Sequence, residues 1–582
     1  MPAGTQQKSA VVRLDKPREM ETWSQRVDLY DLAARFGTPL YVHHPTTLRD
    51  NFEAYVRLVG NPGNVRYPVK ANPSPLVLEA LARWGGGADC ASAPEVRAAL
   101  SAGIAIEHVS YNSPLLDLRL ATWLLRSGGT VVADSAEALA ELRQVLEGDG
   151  GFDGRLFVRV NPGGLPGYRK KTDIQRYTSH GSATSQFGIP SEEIPALLAD
   201  YPLMVSGLHM HVGTMMDHTG SFTAGLDLLH DLTDLLLADT MHPIEALNLG
   251  GGLGLPHFRN QRFPSIAALV EAVEPKLRDD MRYEVEPGNS LVGDSFALLT
   301  RVVATKQTRG RRWAVVDVGT DQLVKHTVAG WQHEIVGPTG EALPTEGPDA
   351  VAGPLCFAGD VLLEQTSLDG IAKGDPLMVR HAGAYCKAIA SRFNGRTSPA
   401  CAVIGENGRI HLAHDREDPF YDPMLQTYRA SGFQLDAGQG MAVSEERVSA
   451  LQSEYMHHLA EQEGYEIRSL RRLGERAYHF EIDTRSAVGF VAMPLALRIL
   501  GDASITAVGH ELGWETKQAP VWATRLTLTA GANIPSGETL PCRVVVSALG
   551  PGSSGAAACG HVHFELGENG EFRGTAKVSV PA

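Results

Sequence analysis

The chain has 582 residues, of which 20% are charged and 43% hydrophobic, and its formal net charge is −15. A chain of this length is too long to fold around a single hydrophobic core, so we expect two to four domains. The negative charge argues against a nucleic-acid surface, and no apolar run reaches the roughly 18 residues that a membrane span needs.

The six cysteines show no closely spaced pairs of metal-binding type, so we expect reduced thiols. The segment from Met1 to Arg18 lacks the apolar core of a signal peptide. These features favour a soluble cytoplasmic protein that binds neither nucleic acid nor membrane.

Short apolar strands alternate with helical runs through the first half of the chain. Alternation of this kind indicates parallel strands joined by crossover helices, and its length fits a (β/α)8 barrel over residues 41–285. Such barrels carry their chemistry at the carboxyl ends of the strands. The predicted strands end near residues 70, 91, 111, 133, 160, 211, 249 and 285.

The segment Tyr67-Pro68-Val69-Lys70-Ala71-Asn72-Pro73 places a lysine at the end of one such strand. Burial lowers the proton affinity of a lysine, which can then act as an amine nucleophile. That property is required for a Schiff base to a carbonyl cofactor. On these residues alone, a lysine that reaches out to solvent is the simpler interpretation.

The motifs around Lys70 change that balance. A helical run follows it, and then the segment Gly85-Gly86-Gly87-Ala88-Asp89-Cys90-Ala91-Ser92. This order resembles the cofactor site of the fold-type III amino-acid decarboxylases, the diaminopimelate and ornithine decarboxylase family. The resemblance extends from about Tyr30 to about Pro399. It implies that Lys70 binds pyridoxal 5′-phosphate covalently and that Asp89 contacts the same cofactor.

Two histidines, His209 and His211, lie in the segment Gly207-Leu208-His209-Met210-His211-Val212-Gly213-Thr214. Their i, i+2 spacing points both toward one side of a strand. A structural pair, or a metal pair without a third ligand, is the alternative. The resemblance implies that His211 stacks on the pyridine ring and fixes its plane during catalysis, and that Thr214 lies near the phosphate.

A strand that ends at Leu249 runs into Gly250, Gly251 and Gly252. Only glycine lets a backbone come close enough for consecutive N–H groups to hold a phosphate, so we predict phosphate binding there.

A later strand ends in Glu284-Val285-Glu286-Pro287-Gly288-Asn289. The resemblance implies that Glu286 bonds the pyridine nitrogen and keeps it protonated, which makes the ring an electron sink. Asn289 stands where the family has arginine, so one contact is missing or supplied elsewhere.

Residues 286–414 form short β segments, and together with residues 1–40 they are predicted to form an antiparallel β domain. Two loops in this part carry Cys356 and Tyr385. In the family both loops reach into the site of the neighbouring subunit, which implies a homodimer with shared sites. The resemblance also implies that Cys356 protonates the product carbanion and that Tyr385 contacts the cofactor phosphate.

The substrate-contacting positions depart from the family pattern. Lys325 stands where arginine is usual, and Phe357 replaces the acid that binds the distal ammonium of the substrate. An unpaired buried ammonium costs on the order of several kcal/mol. We therefore predict that Lys325 and Phe357 line a less polar pocket for a larger or modified amino acid, such as an acylated or carrier-tethered one.

Residues 415–440 are predicted to be a linker, and residues 441–582 to form a separate α+β domain. An apolar helix over 493–508 is followed by four strands, at 522–528, 542–549, 556–565 and 572–580. This order resembles the hotdog fold of acyl-thioester enzymes, with Asp502, His510 and Glu511 as the polar candidates. Hydrolysis, binding of a carrier-bound thioester and dimerisation remain open for this domain.

The combined interpretation is a pyridoxal-phosphate-dependent α-decarboxylase of a specialised biosynthetic pathway, fused to a hotdog-like domain. One alternative is an amino-acid racemase on the same fold, in which Lys70 and a tyrosine act as opposed bases. The other is a scaffold in which only a hotdog thioesterase is active.

Overall fold

The computed structural model describes residues 23–146, 151–168, 179–201, 204–240, 244–258, 260–414, 416, 441–443, 464–474, 476–485, 493–511, 522–530, 539–551, 556–567 and 572–581. The chain divides into two compact units, Met1–Glu417 and Asp418–Ala582. Apart from Arg416, the linker predicted over residues 415–440 lies outside the described residues.

Within the described part of the first unit, eight parallel strands follow one another around a sheet in chain order. They are Arg66–Pro68, Gly87–Cys90, Val109–Asn112, Thr130–Ala133, Arg155–Asn161, Gly207–His209, Ala246–Asn248 and Arg282–Glu284. The short strand Ile189–Pro190 pairs with the fifth of them outside this ring. The backbone N of Arg66 donates to the carbonyl of Val285 (2.8 Å), and the N of Val285 donates to that of Asn64 (3.0 Å). These two bonds bring the last strand to the first, so the predicted (β/α)8 barrel is confirmed.

A buried ion pair joins the first and last barrel strands. Nε of Arg66 lies 2.8 Å from Oε2 of Glu284, and both side chains are fully buried. Removing one partner of such a pair costs about 3–5 kcal/mol, because the other charge is left uncompensated. Lys70 and Glu286 follow these two strands in the chain, so the pair ties together the two strands that lead to them.

Helices connect the barrel strands and cover them from outside. Polar side chains cap the amino ends of several of them; Oδ1 of Asp117, for example, accepts from the N of Arg119 (2.9 Å). The helix that begins there buries Ala121, Leu124 and Leu125, whose spacing forms one apolar face. The helices are Pro45–Val59, Pro75–Arg83, Ala93–Ser101, Leu118–Arg126, Ala136–Leu146, Ile194–Ala199, Gly220–Thr240 and Ile266–Val273.

The second sheet of the first unit is mainly antiparallel. Its strands are, in spatial order, Val361–Thr366, Asp349–Ala352, Arg311–Val316, Phe296–Thr308, Leu40–His43, Ala400–Ile404 and Ile410–His414, with Pro376–Val379 and Ile335–Val336 as a branch. The helices Leu29–Phe36, Asn289–Val292 and Val324–Ala329 belong to the same unit. The strand Leu40–His43 pairs only with this sheet, antiparallel on one side and parallel on the other. The boundary predicted between residues 40 and 41 therefore runs through a strand of the β domain.

The described part of the second unit is an antiparallel sheet with one long helix. The spatial order is Met441–Val443, Gly464–Gly474, Ala477–Arg485, Thr539–Pro551, Ala556–Leu566, Phe572–Pro581 and Trp522–Ala530. The helix Met493–Glu511 packs on the fourth and fifth of these strands. Its predicted position and those of the four strands after it are confirmed, whereas the strand Gly464–Gly474 was not predicted. Among the described helices, none combines the length and apolar character that crossing a bilayer requires.

Candidate active site

Lys70 lies at the carboxyl end of the first barrel strand. The strand Arg66–Pro68 passes into a single 3-10 turn over Val69–Ala71, which carries the lysine over the barrel mouth. Nζ of Lys70 donates to Oδ2 of Asp89 (3.1 Å). The lysine side chain keeps 46% of its surface exposed, whereas that of Asp89 is fully buried. The amine is therefore both anchored and accessible.

The charges around Lys70 reverse one expectation from the sequence. Burial lowers the pKa of the amine, but the carboxylates of Asp89 and Glu286 and the Tyr385 hydroxyl outweigh it and raise this pKa above its ordinary value. The prediction that Lys70 loses proton affinity was therefore wrong. For Asp89, burial and repulsion by Glu286 raise the pKa to about 6, although Lys70 opposes the shift.

Glu286 lies two residues after the last barrel strand, with 4% of its surface exposed. Nδ2 of Asn248 donates to Oε1 of Glu286 (2.9 Å), and Nε2 of His209 lies 3.2 Å from the same oxygen. Burial raises the pKa of Glu286, but His209 and then Lys70 outweigh it and lower this pKa. Glu286 is therefore held as a carboxylate.

His211 follows the barrel strand Gly207–His209. The backbone N of Gly251 donates to Nδ1 of His211 (3.1 Å), which places the proton of the neutral ring on Nε2. Burial lowers the pKa of His211 well below its usual range, and repulsion by His180 adds to the shift. The described residues contain no group of side chains arranged to hold a metal, so the metal alternative for the His209–His211 pair finds no support.

The glycine triplet Gly250–Gly252 is packed too closely for any side chain. A Cβ on Gly251 would collide with the carbonyl of Glu286, and one on Gly252 with the carbonyl of Gly213. Gly252 also has φ +108°, a left-handed conformation that glycine adopts freely. The N–H groups of Gly250 and Gly251 already donate to Asn248 Oδ1 (2.9 Å) and to His211.

Asn289 and Thr214 form a polar contact with each other near this glycine loop. Nδ2 of Asn289 donates to Oγ1 of Thr214 (3.3 Å). Asn289 begins the short helix that follows the Pro287-Gly288 turn, so it ties the Glu286 segment to the loop after His211. The position at which the family has arginine thus contacts the residue predicted to lie near the phosphate.

Tyr385 corrects a prediction about subunit sharing. Its backbone N donates to the carbonyl of Ala71 (2.8 Å), directly after Lys70 in the same chain. Its hydroxyl is also the atom nearest to a Cβ built on Gly288. The prediction that the Tyr385 loop reaches into the neighbouring subunit was therefore wrong, because the turn is held by the barrel of its own chain.

Cys356 and Phe357 lie on an exposed loop of the β domain. Phe357 keeps 47% of its surface exposed, and Cys356 is exposed as well. The backbone N of Cys356 donates to Oδ1 of Asn394 (2.9 Å), which fixes this loop to a second exposed turn. The structure therefore presents both residues outward, unlike the group around Lys70.

Lys325 is buried, although the sequence places it in the substrate-contacting segment. Only 8% of its surface is exposed. Nζ of Lys325 lies 3.1 Å from Nε2 of His257 and donates to the carbonyl of Ala384 (3.0 Å). Burial lowers the pKa of this amine, and Cys386 partly opposes the shift.

Sequence reasoning missed two basic residues near the site. Nη1 of Arg159 donates to Oδ1 of Asp134 (3.1 Å), and its guanidinium lies 4.6 Å from the ring centroid of Phe187. The ring of His180 lies 5.0 Å from that of His211. A signal for Arg159 was available, since a charged side chain inside an apolar barrel strand needs a partner.

The polar candidates in the second unit are engaged in contacts within that unit. The Tyr478 hydroxyl donates to Glu511 and lies 3.0 Å from Nδ1 of His510. Nη2 of Arg472 lies 2.9 Å from Oε1 of Glu511. The side chain of Asp502 lies outside the described residues.

Comparison with known proteins identifies the family. A model for the pyridoxal-binding domain of pyridoxal-dependent decarboxylases matches residues 46–293. The diaminopimelate decarboxylase of Deinococcus radiodurans is 33% identical over 394 residues, which cover 67% of this chain and 96% of the relative. That of Pseudomonas aeruginosa is 32% identical over 414 residues, which cover 69% and 95%. The chain belongs to the diaminopimelate decarboxylase family of pyridoxal-dependent enzymes.

Solved structures agree with this family assignment. AQ1208 of Aquifex aeolicus aligns with a TM-score of 0.59 and 26% identity, covering 68% of this chain and 93% of that one. Diaminopimelate decarboxylase of Helicobacter pylori, solved with L-lysine, has a TM-score of 0.62 at 21% identity and covers 69% and 100%. The latter likeness shows the fold alone. The protein is thus a pyridoxal-phosphate-dependent amino-acid carboxy-lyase, and the matched region leaves the second unit outside the family resemblance.

The residues at the barrel mouth fit the cofactor of this family. Lys70 supplies an accessible amine, Glu286 a buried carboxylate and His211 a neutral imidazole. The glycine loop, which admits no side chain, lies beside them.

Proposed function

We propose that the protein decarboxylates an amino acid that lacks a free distal ammonium, with Lys70 holding the cofactor. The position of the Lys70 amine beside Asp89 and Glu286, at the ends of three barrel strands, carries the cofactor assignment. The identity of Phe357 carries the substrate class. When bound, pyridoxal phosphate supplies an electron sink for the carbanion that loss of CO2 leaves.

The protein residues orient this chemistry. Glu286 stays ionised through His209 and Asn248, so it is able to hold a proton on a ring nitrogen placed against it. The neutral ring of His211 offers a flat face for stacking, since Gly251 fixes its tautomer. Gly250–Gly252, Thr214 and Tyr385 would hold the phosphate. Asp89 would contact the cofactor together with the Lys70 amine.

Cys356 would deliver the final proton from a second copy of the chain. The exposed loop around it fits this role, because Phe357 and Phe393 keep 47% and 49% of their surfaces exposed beside the Cys356–Asn394 bond. Exposed aromatic side chains at one place favour burial against a partner. We therefore propose a homodimer in which each site combines Lys70 of one protomer with Cys356 of the other.

Phe357 supports a substrate without a charged distal end. The Helicobacter pylori relative was solved with L-lysine, which carries a distal ammonium. A phenylalanine offers no acceptor to such a group, and a desolvated ammonium without a partner is costly. We therefore propose a larger or modified amino acid, such as an acylated or carrier-tethered one, from a specialised biosynthetic pathway.

The second unit is proposed to be a hotdog-like domain for acyl-thioester binding or hydrolysis. The long helix Met493–Glu511 between the third and fourth strands of its antiparallel sheet, in chain order, supports this proposal. Because Arg472 and Tyr478 already engage the carboxylate of Glu511, binding is better supported than hydrolysis by that group.

The test is CO2 release across a panel of free, acylated and carrier-tethered amino acids. We expect release from an acylated or tethered amino acid at a rate well above that from free diaminopimelate, lysine or ornithine. Chiral analysis of recovered substrate addresses the racemase alternative, which the decarboxylase relatives do not favour. Equal or faster release from diaminopimelate would contradict the proposed substrate class.

A further inference from the structure

A buried lysine connects two loops of the candidate site. Lys325 lies on the short helix Val324–Ala329 of the β domain, with 8% of its surface exposed. Its ammonium has two acceptors in the protein interior, Nε2 of His257 at 3.1 Å and the carbonyl of Ala384 at 3.0 Å. A buried ammonium without such acceptors would be costly, so these contacts fix where the side chain points.

The first acceptor belongs to the loop that continues from the glycine triplet. Nδ1 of His257 lies 3.2 Å from the carbonyl of Leu255, to which it donates, so Nε2 carries the lone pair that faces Lys325. The backbone N of Glu334 donates to the carbonyl of His257 (3.0 Å), which holds the loop on the β domain. Leu255 is three residues after Gly252.

The second acceptor lies immediately before Tyr385. Tyr385 has φ +51°, a left-handed conformation that a bulky side chain rarely adopts without support. Its N–H donates to the carbonyl of Ala71, beside Lys70. Because the carbonyl of Ala384 precedes this strained residue, the Lys325 ammonium holds the turn in the conformation that brings Tyr385 to the cofactor side.

We propose that Lys325 is a positioning residue that couples the glycine loop to the Tyr385 turn, and that it does not bind substrate. This inference rests on the proposed assignment of Tyr385 to the cofactor phosphate. It replaces the prediction that Lys325 contacts the substrate, and it explains why a basic side chain at this position is buried.

The two roles predict different kinetic consequences. A substrate ligand, once lost, raises KM and leaves the affinity of the apoprotein for pyridoxal phosphate unchanged. Loss of a positioning residue leaves Nε2 of His257 without its donor, leaves the Ala384 carbonyl only the weak Cys386 thiol donor (3.5 Å), and releases the Tyr385 turn. In that case cofactor affinity and kcat fall together, with little change in KM at saturating cofactor.

The test is a titration of full-length apoprotein with pyridoxal phosphate, followed by the absorbance of the bound cofactor. We expect Lys325→Met to weaken binding roughly 10- to 100-fold, the effect of leaving a buried acceptor unsatisfied. We also expect kcat to fall and KM to change less than about threefold. The matched control is Lys276→Met, which removes an exposed lysine paired with Asp227 at 2.7 Å.

A double-mutant cycle tests whether Lys325 acts through Tyr385. Tyr385→Phe alone should weaken cofactor binding, and Lys325→Met should add little in that background. Full additivity would overturn the coupling, and an increase in KM at unchanged cofactor affinity would restore the substrate-ligand role. Unchanged binding, kcat and KM in Lys325→Met would overturn the inference as a whole.

The melting temperature of Lys325→Met would reveal a folding defect in that variant. In that case a second variant provides the test. His257→Leu removes one acceptor and keeps the lysine, and it should weaken cofactor binding in the same direction by a smaller factor. Wild-type protein that binds the cofactor but releases no CO2 from any member of the substrate panel would instead contradict the proposed function. That result is independent of the Lys325 titration.

Discussion

Nζ of Lys70 lies 3.1 Å from Oδ2 of Asp89, at the carboxyl ends of two neighbouring parallel strands. The carboxylate is fully buried and the lysine is partly exposed. The buried carboxylate therefore holds the amine in place while solvent still reaches it. This arrangement raises the pKa of the amine, which burial alone would lower.

Lys70→Ala should abolish both the visible absorbance of bound cofactor and CO2 release, because it removes the amine that holds the cofactor. The measurement is an absorbance spectrum and a decarboxylation assay on the same preparation. Lys276→Ala removes an exposed lysine outside the candidate site and should change neither the absorbance nor CO2 release. A colourless Lys70→Ala protein working at the wild-type rate would refute the proposed mechanism.

Glu286→Gln should lower kcat by roughly 10²- to 10³-fold, because a neutral amide is unable to stabilise a protonated ring nitrogen. The substitution keeps the shape of the side chain, so the cofactor should still bind with only a modest loss of affinity. The exposed Glu79 provides a control, since Glu79→Gln should leave kcat unchanged. A kcat within a few-fold of wild type would remove Glu286 from its proposed role.

Mixing two inactive variants tests the proposed shared site. Lys70→Ala and Cys356→Ala homodimers should each be nearly inactive, since both sites of each dimer lack one partner. After subunit exchange at equal amounts, half of the dimers are mixed and each has one intact site. Activity should then recover to about a quarter of the wild-type value. Absence of any recovery, with exchange shown by differently tagged subunits, would contradict the cross-subunit role of Cys356.

Gly252→Ala should prevent cofactor binding and destabilise the protein, because its Cβ collides with the carbonyl of Gly213. Gly128 provides a matched control with a similar left-handed backbone, φ +90° against +108°, and no atom within 4 Å of a built Cβ. Gly128→Ala should cost only about 1–2 kcal/mol of strain and leave cofactor affinity unchanged. Equal effects in thermal unfolding and cofactor titration would show that the close packing at Gly252 is unimportant.

The stability of the protein should decrease as the pH falls from about 6.5 to about 4. Burial lowers the pKa of His43 from 6.5 to about 4, so below pH 6.5 the unfolded chain binds a proton that the native ring refuses. The linked contribution of this one group to stability is on the order of 3 kcal/mol; it is intact at neutral pH and lost completely below about pH 4.

Urea unfolding of His43→Gln across this pH range measures the effect. The free energy of unfolding of the variant should depend less steeply on pH. The difference in slope should correspond to the uptake of up to one proton fewer on unfolding. Identical slopes for the wild type and His43→Gln would contradict the prediction.

The sequence was sufficient for the barrel and for the position of Lys70. Alternating strands and helices of regular length predict parallel pairing, and the structure places eight strands in chain order. The segments around Asp89, His211, the glycine triplet and Glu286 each end a predicted strand. Since all parallel strands of a barrel end at the same rim, their meeting follows from local pattern and topology together.

Tertiary structure decided the electrostatics of the site and the surroundings of Tyr385 and Lys325. The sequence placed Lys70 at the end of a strand, but only the folded barrel places Asp89 and Glu286 close enough to raise the pKa of its amine. Similarly, only the three-dimensional contacts place Tyr385 on its own chain's barrel and enclose Lys325. Coulomb interactions and hydrogen bonds depend on distances between residues far apart in the chain, and local sequence patterns do not encode those distances.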